Sequence, residues 1–243
     1  MKAIVTGHTR GLGAAIAENL LARGVAVLGI SRSNNTTLAR NFPAALEQVE
    51  LDLSDSASLA RWLESGRLRQ FLAGSETVLL INNAGLLQPV GPIATHDVAA
   101  IARSVGVNVA APLMLAAAVA AAPDAGEQRI LHVSSGAGRS PYPGWSIYCA
   151  TKAALDQHAQ AAALDRTPGL RICSLAPGVI DTDMQAEIRA TSPERFPLRE
   201  KFDALKRSGS LSDPAACAQR LVAYLLSEKF GELALADLRD TGE

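Results

Sequence analysis

Lys2-Ala3-Ile4-Val5-Thr6-Gly7-His8-Thr9-Arg10-Gly11-Leu12-Gly13 opens the chain and decides its fold. The first four residues form a short apolar run typical of a buried strand. Leu12, Ile16 and Leu20 follow as the buried stripe of a helix that ends at Arg23-Gly24. Between strand and helix, the glycines allow a tight turn and bring backbone N–H groups close to a phosphate at the positive end of the helix. This order of elements is typical of a dinucleotide-binding loop.

Further apolar runs of strand length alternate with helical patterns along the whole chain. They cover residues 25–30, 48–53, 78–81, 130–133, 170–175 and 233–236. Alternating strands and helices require a parallel sheet with right-handed crossovers. The sequence therefore predicts an α/β protein with one doubly wound parallel sheet, strand order 3-2-1-4-5-6-7, in a single domain over residues 1–243.

One connection is too long for an ordinary loop of such a domain. It covers residues 183–212, and long connections inside compact domains are usually functional. Ser192-Pro193 within it and Asp213-Pro214 just after it each predict a helix cap with proline at the first helical position. We interpret this segment as a lid of short helices that covers the substrate.

Composition excludes several classes of partner. The 243 residues carry a net charge of −1 with scattered basic residues, which argues against nucleic acid or an anionic membrane. The three cysteines, Cys149, Cys173 and Cys217, have no disulfide or zinc spacing, and no metal is predicted. We find no signal segment and no apolar run approaching membrane-spanning length, so we expect a cytoplasmic enzyme.

A second stretch, Ser134 to Lys152, carries the residues suited to catalysis. Tyr148 and Lys152 are four apart, so a helix places them on one face. A phenol titrates near pH ~10, and a neighbouring ammonium is expected to lower that pKa and make Tyr148 a general acid. Ser135 follows a strand, at the edge where open α/β sheets bind ligands. The pattern predicts that Ser135 and Tyr148 hold a carbonyl oxygen while a hydride reaches its carbon.

The end of the second predicted strand bears on the choice of cofactor. In dinucleotide-binding folds, an acidic residue there binds the adenosine ribose and repels a 2′-phosphate. This chain has Ser31 and Arg32 instead, and Arg10 lies in the first loop. Two guanidinium groups near one phosphate favour NADP(H) over NAD(H).

The chain resembles the short-chain dehydrogenase/reductase family. The matching motifs occur in the family's order: Thr6-Gly7-xxx-Gly11-x-Gly13, Asn82-Asn83-Ala84-Gly85, Asn108, Ser135, Tyr148-xxx-Lys152 and Pro177-Gly178-xxx-Thr182. Residues 134–138, 141–145 and 176–185 are similar, more narrowly, to the sepiapterin reductase and benzil reductase branch. The resemblance implies a Rossmann fold and NADPH-dependent reduction of a small-molecule carbonyl.

The resemblance also implies individual roles. Asn108 lies in an Ala-rich helix between Asp97 and Ala122, and its backbone carbonyl would hold a water of a proton relay; a satisfied core amide is the alternative. Pro112 is expected to bend this helix. The implied catalytic set is Asn108, Ser135, Tyr148 and Lys152. The expected cofactor contacts are Thr6, Gly7, Thr9, Arg10, Gly11, Leu12, Gly13, Ser31, Arg32, Asp52, Leu53, Asn83, Ala84, Gly85, Tyr148, Lys152, Pro177, Gly178, Ile180 and Thr182.

The expected substrate contacts, besides Ser135, are Leu86, Tyr142, Trp145 and Met184. They suggest an apolar, partly aromatic pocket for an aromatic α-diketone, although Tyr142 and Trp145 could instead form core beneath the lid. One alternative is a pterin reductase, which would need a carboxylate such as Asp237 or Asp240. A 3-oxoacyl carrier-protein reductase would need basic residues at the pocket mouth, and a non-catalytic NADP-sensing protein is the most distant possibility.

Assembly is a further expectation from the resemblance. The family commonly dimerises through the helices that carry Asn108 and Tyr148. Here these helices contain the small-residue runs 116–118 and 159–163, apart from Gln160 in the second, which suit close helix packing. We expect a homodimer or a homotetramer.

Overall fold

The computed structural model describes residues 1–122 and 126–241. It contains a seven-stranded parallel sheet in the order β3-β2-β1-β4-β5-β6-β7, which confirms the predicted order. The strands are β1 (Lys2–Thr6), β2 (Ala26–Ser31), β3 (Leu46–Glu50), β4 (Thr77–Asn82), β5 (Glu127–Val133), β6 (Leu170–Ala176) and β7 (Leu235–Asp237).

Helices cover both faces of the sheet, so the central strands β1 and β4 are buried along nearly all of their length. They are α1 (Gly11–Ala22), α2 (Thr36–Asn41), α3 (Ser56–Glu64), α4 (Arg67–Leu72), α5 (Val98–Val105), α6 (Ala111–Ala120), α7 (Ser146–Leu164), α8 (Asp183–Ala190), α9 (Arg199–Arg207) and α10 (Pro214–Leu226). One apolar core includes α1 and α10, and the other includes α3, α4 and α6.

Strand order fixes where a ligand can bind. β1 pairs in parallel with both β2 and β4, so the chain direction of the crossovers reverses beside β1. Such a reversal opens a crevice at the carboxyl ends of the strands. The loops that follow β1, β4, β5 and β6 all begin at this edge.

Two predicted strands extend two or more residues beyond the strands of the structure. The strand predicted over 48–53 ends at Glu50, because Asp52 accepts hydrogen bonds from the backbone N and the hydroxyl of Ser54 and begins a turn instead. The last strand, predicted over 233–236, is the short edge strand β7, and Leu233 lies outside it with its side chain exposed. The side-chain pattern predicts where the strands lie but not where they end, because their ends depend on local hydrogen bonds.

The lid segment contains α8 and α9, and only one of its two predicted caps is correct. Asp213 accepts from the backbone N of Ala216 and caps α10, with Pro214 at its start. Ser192-Pro193 does not begin a helix: the Ser192 carbonyl accepts from the backbone N atoms of Arg195 and Phe196 and closes a turn. A proline after serine is compatible with both structures, so the sequence alone did not separate them.

The helix predicted between Asp97 and Ala122 runs from Val98 to Ala120, and its middle segment, Gly106–Ala110, is a π-helix. Pro112 has no N–H to donate to the Asn108 carbonyl, and the wider turn lies directly before this proline. By length and composition alone the 23 residues could span a membrane, so the expectation that no run approaches that length was wrong. Here Ala111, Leu115 and Val119 are buried against the sheet.

Candidate active site

A groove of about 770 Å³ lies along the carboxyl edge of the sheet. Most of the residues expected to bind cofactor or substrate line it. These are Gly7, Thr9, Arg10, Gly11, Leu12, Gly13, Ser31, Arg32, Asp52, Leu53, Asn83, Ala84, Gly85, Leu86, Ser135, Tyr142, Trp145, Tyr148, Lys152, Pro177, Gly178, Ile180, Thr182 and Met184. Thr6 and Asn108 lie behind this wall and hold it in place.

Thr6 and Asn83 join the glycine-rich loop to the neighbouring strand. The Thr6 hydroxyl accepts from the backbone N atoms of Asn83 and Ala84, both at 3.0 Å. The Asn83 amide donates to the carbonyls of Thr6 at 3.0 Å and Gly7 at 3.3 Å. A Cβ on Gly13 would lie 2.1 Å from the Gly7 oxygen and 2.3 Å from the Asn83 amide nitrogen. The start of α1 therefore approaches the loop as closely as only glycine permits.

Three residues that the sequence did not single out support this loop from below. The ring of His8 is buried against Gly29, and its Nε2 lies 2.7 Å from Oε1 of Gln48. Asn35 uses its backbone N to bind the same Gln48 oxygen, and its amide donates to the carbonyls of His8 and Thr9. Their spacing along the chain carries no signal, because the contacts join three separate segments: the glycine-rich loop, strand β3 and the start of α2.

The end of the groove near β2 contains the residues expected to determine cofactor preference, with one difference. Ser31 and Arg32 line it, and the Ser31 hydroxyl lies 3.5 Å from that of Thr9. Arg10, in contrast, forms an ion pair with Asp183 at 3.0 Å, although both side chains are mostly exposed. Since Asp183 is the first residue of α8, this pair connects the glycine-rich loop to the lid segment.

Helix α7 carries the predicted catalytic pair, Tyr148 and Lys152, on its buried stripe. Tyr148, Thr151, Lys152, Leu155, Asp156 and Ala159 are its buried residues, at the three- and four-residue spacing of one helix face. Burial raises the pKa of Tyr148 to about 12, while a hydrogen bond with Ser135 acts in the opposite direction. The expected lowering by Lys152 is therefore not found: burial has the largest effect on this pKa, and Ser135 rather than Lys152 opposes it.

Lys152 is held at a fixed place beside this phenol. Its Nζ donates to the Val133 carbonyl at 2.7 Å and lies 5.7 Å from the centre of the Tyr148 ring. Burial lowers the pKa of Lys152 to about 8, although the charge of Asp156 raises it. The Lys152 side chain is thus mainly protonated at neutral pH, although its pKa lies only slightly above that pH.

The Asn108 side chain is fully satisfied. Its oxygen accepts from the backbone N of Leu86 at 2.7 Å, and its amide donates to the Leu86 carbonyl at 2.8 Å and to the Thr151 hydroxyl at 3.1 Å. These bonds fix the π-helical segment against α7 and against the segment after Gly85. The relay role of its backbone carbonyl stays a prediction.

An aromatic cluster lies beside Tyr148. Trp145 is buried and stacks on Phe196, with ring centres 4.5 Å apart and planes 6° from parallel. Phe202 of α9 lies 5.4 Å from the same ring, and Tyr142 lies 5.2 Å away. Both interpretations of these aromatics hold in part: Trp145 joins the core beneath α8 and α9 and also lines the groove with Tyr142. Phe196 and Phe202 were missed, since they come from the irregular lid segment.

Comparison with known proteins agrees with this geometry. The family model for short chain dehydrogenase matches residues 1–193. A benzil reductase ((S)-benzoin forming) of Bacillus cereus is 34% identical over 96% of this chain and 98% of its own. A sepiapterin reductase of Meriones unguiculatus is 34% identical over 98% of this chain and 95% of its own. The crystal structure of a short-chain dehydrogenase/reductase from Burkholderia vietnamiensis is 49% identical, with a TM-score of 0.71 over 99% of this chain and 98% of that one.

The chain therefore belongs to the short-chain dehydrogenase/reductase family, and it is an oxidoreductase that acts on CH–OH or C=O groups. Its Rossmann fold binds a nicotinamide cofactor. The residues present fit that group: glycines at the N-terminus of α1 leave backbone N–H groups free of obstructing side chains, and the groove continues from there to Tyr148 and Lys152.

Proposed function

We propose that this protein is an NADPH-dependent carbonyl reductase whose substrate is an apolar or aromatic ketone, best represented by an aromatic α-diketone. The observation that carries the proposal is the placement of Ser135, Tyr148 and Lys152 in one groove, beside a cluster of aromatic side chains. A small-molecule substrate of this type would be covered by α8 and α9, which supply the lid.

The protein contributes position and electrostatics to the reaction. Reduced nicotinamide, when bound, supplies the hydride. Ser135 orients the substrate oxygen by a hydrogen bond, and Tyr148 donates the proton from its hydroxyl. Because the phenol must end as a phenolate, the positive charge of Lys152 stabilises the product side of that proton transfer. Asn108 holds the helix that faces this pair.

The preference for NADPH is supported by charge at the end of β2. Arg32 lines the groove there beside the short, neutral side chain of Ser31. Arg10 can contribute only if it leaves Asp183. Their ion pair is exposed, and pairs of this kind contribute ~0–1 kcal/mol to stability. Arg32 is therefore the better candidate for the 2′-phosphate.

Replacing Arg32 with alanine is expected to raise the Michaelis constant for NADPH at least ~10-fold and to change that for NADH little, because one charge-assisted phosphate contact is lost. Steady-state kinetics with both cofactors measure this. Arg40→Ala, an exposed arginine of α2, is the matched control. Equal use of NADPH and NADH by the unmodified protein would refute the assignment.

The substrate class is supported by the composition of the groove around Tyr148. Leu86, Leu87, Met184, Ile188 and Phe202 line this end. An apolar lining with a few polar groups at the reacting oxygen favours planar hydrophobic carbonyl compounds. The names of two relatives, benzil reductase and sepiapterin reductase, support this substrate class.

A direct test compares benzil, phenylpropanedione, sepiapterin and a β-ketoacyl thioester at equal NADPH concentration. We expect the two diketones to give the highest kcat/KM, with one carbonyl of each reduced stereoselectively. NADPH oxidation followed by chiral chromatography of the product measures both. Activity confined to the thioester would overturn the proposal and assign the protein to fatty-acid synthesis.

A pterin substrate is the second candidate, and Asp237 favours it. This carboxylate lines the groove, but Arg239 binds it through two hydrogen bonds of 2.8 and 2.6 Å. A pterin would have to compete with that guanidinium for the carboxylate. Asp237→Asn separates the candidates, since it should abolish activity on sepiapterin and spare activity on benzil.

The lid residues argue against an acyl-carrier partner. Arg207 pairs with Glu200 at 2.5 Å and Arg199 with Asp203 at 3.4 Å. Arg195 donates to the Val90 carbonyl. Arg199 and Arg207 thus bind acids of the lid, and Arg195 binds the segment after β4, rather than forming a basic surface for a phosphopantetheine carrier. Homodimer formation and a cytoplasmic location stay predictions.

A further inference from the structure

Asp156 lies one helical turn beyond Lys152 on α7, and the chemistry proposed above does not use it. Its side chain is buried, as is that of Lys152, with 4% of each residue exposed. The Ser134 hydroxyl donates to Oδ1 at 2.7 Å, the Ser174 hydroxyl to the same oxygen at 2.6 Å, and Arg139 Nε to Oδ2 at 3.4 Å. Acceptance of three hydrogen bonds is the pattern of a carboxylate.

Lys152 and Asp156 are four residues apart among the buried residues of α7, so their side chains are neighbours on one helix face. A Cβ on Gly138 would lie 2.9 Å from Oδ2 of Asp156 and 2.9 Å from the carbonyl carbon of Lys152. The loop after β5 therefore packs directly over this turn of α7. A buried charge interacts with its neighbours through a medium of low dielectric, where the effect at a given distance exceeds that in water.

Among the described residues around Lys152 and Asp156, the other titratable groups do not supply a negative charge in place of Asp156. Burial and the neighbouring charges lower the pKa of His132, on β5, to about 3, so this ring is neutral. Burial raises the pKa of the Cys173 thiol, on β6, to about 11, so it is neutral too. Tyr148 is a neutral phenol and Asn108 an amide. Among the described residues around Lys152, Asp156 provides the negative charge and Arg139 the second positive one.

We infer that Asp156 is a positioning residue of the active site, whose buried negative charge keeps the Lys152 side chain in its ammonium form. This role of Asp156 deepens the proposed function and rests on it, because the proposed reaction uses the positive charge of Lys152. Arg139 moderates the effect because its guanidinium also faces the carboxylate, while donating to the Ser174 and Ala236 carbonyls. The charge matters because a neutral Lys152 would no longer stabilise the phenolate of Tyr148.

The sign of the pH dependence follows from this role. Both Tyr148 and Lys152 must be protonated for carbonyl reduction, and the lysine has the lower pKa of the two. Activity is therefore present below the pKa of Lys152 and is lost as the pH rises through it. Removing the Asp156 charge should move that loss to lower pH.

The charge of Lys152 can be measured without cofactor or substrate. The chain has five lysines, so ¹³C labelling of lysine Cε gives few NMR signals, and Lys152→Met assigns the one of interest. In Asp156→Asn we expect the titration midpoint of Lys152 to fall by about 1 pH unit or more. The falling limb of kcat/KM with pH should move by the same amount.

Three variants separate charge from structure. Asp165→Asn, an exposed acid at the end of α7, should leave the midpoint unchanged. Ser174→Ala removes a hydrogen bond to Asp156 but keeps its charge, so stability should fall while the midpoint stays. Arg139→Gln should raise the midpoint, and it decides the matter if Asp156→Asn does not fold.

An unchanged Lys152 midpoint in folded Asp156→Asn would overturn the inference. So would an unchanged or lower midpoint in Arg139→Gln. If the protein reduces none of the carbonyl compounds, the proposed function fails, but the NMR titration still decides whether Asp156 sets the charge of Lys152.

Discussion

Tyr148→Phe is expected to lower the rate of carbonyl reduction by roughly 10³-fold or more, since it removes the proposed proton donor. The phenol is the group on α7 that lies beside both Ser135 and the Lys152 ammonium. Phenylalanine keeps the edge contact with Trp145, whose ring centre is 5.5 Å away, so the groove should keep its shape. NADPH affinity, measured by fluorescence titration, should change little.

Tyr224→Phe is the matched control for this variant. Tyr224 is on α10, where its hydroxyl lies 3.9 Å from the Cys173 sulfur and outside the groove. This variant should reduce the best substrate at the unmodified rate. Near-normal turnover by Tyr148→Phe, in contrast, would show that the proton comes from another group and that the mechanism is wrong.

Gly13→Ala is expected to abolish cofactor binding and to destabilise the fold by about 1–3 kcal/mol or more, as overpacking does. The added methyl group would overlap the Gly7 carbonyl and the Asn83 amide. To make room, α1 would have to move away from the loop, and the two hydrogen bonds from the Asn83 amide would lengthen or break. Thermal unfolding and NADPH titration measure the two effects.

Gly136→Ala serves as the stability control, because a Cβ there would meet no atom within 4 Å. Its unfolding temperature should match that of the unmodified protein. If Gly13→Ala unfolded at the same temperature and bound NADPH normally, the close approach of α1 to the loop would not be required.

Much of the fold could be predicted because its signals are local. The run Lys2 to Val5, the glycines after it and the stripe of Leu12, Ile16 and Leu20 each act within a few residues, and they give β1, the loop and α1. The same holds for Tyr148 and Lys152, whose spacing already places them on one face of α7. The strand order came from the topology rules for parallel sheets rather than from any one residue.

What the sequence did not reveal depends on contacts between distant segments. Gln48 and Asn35 support the glycine-rich loop only because β2 and β3 bring them beneath it. Arg10 forms an ion pair with Asp183 because the lid segment returns to the first loop. The pKa of Tyr148 rises instead of falling because of burial, which only the folded chain provides. In each case the missing quantity was tertiary geometry.

The hydrogen bonds between Thr6 and Asn83 also bear on how the protein acquires its site. They join residues 77 apart along the chain, so the glycine-rich loop can take its final shape only after β1 and β4 have paired. Contacts of such sequence separation form late and slowly. The dinucleotide therefore recognises a finished sheet and has no partner in the unfolded chain. By mass action, cofactor at 100 times its dissociation constant would add about 2.7 kcal/mol to the stability of the folded state. In a cell, the cofactor pool would thus act as a stabilising ligand that favours accumulation of the folded enzyme.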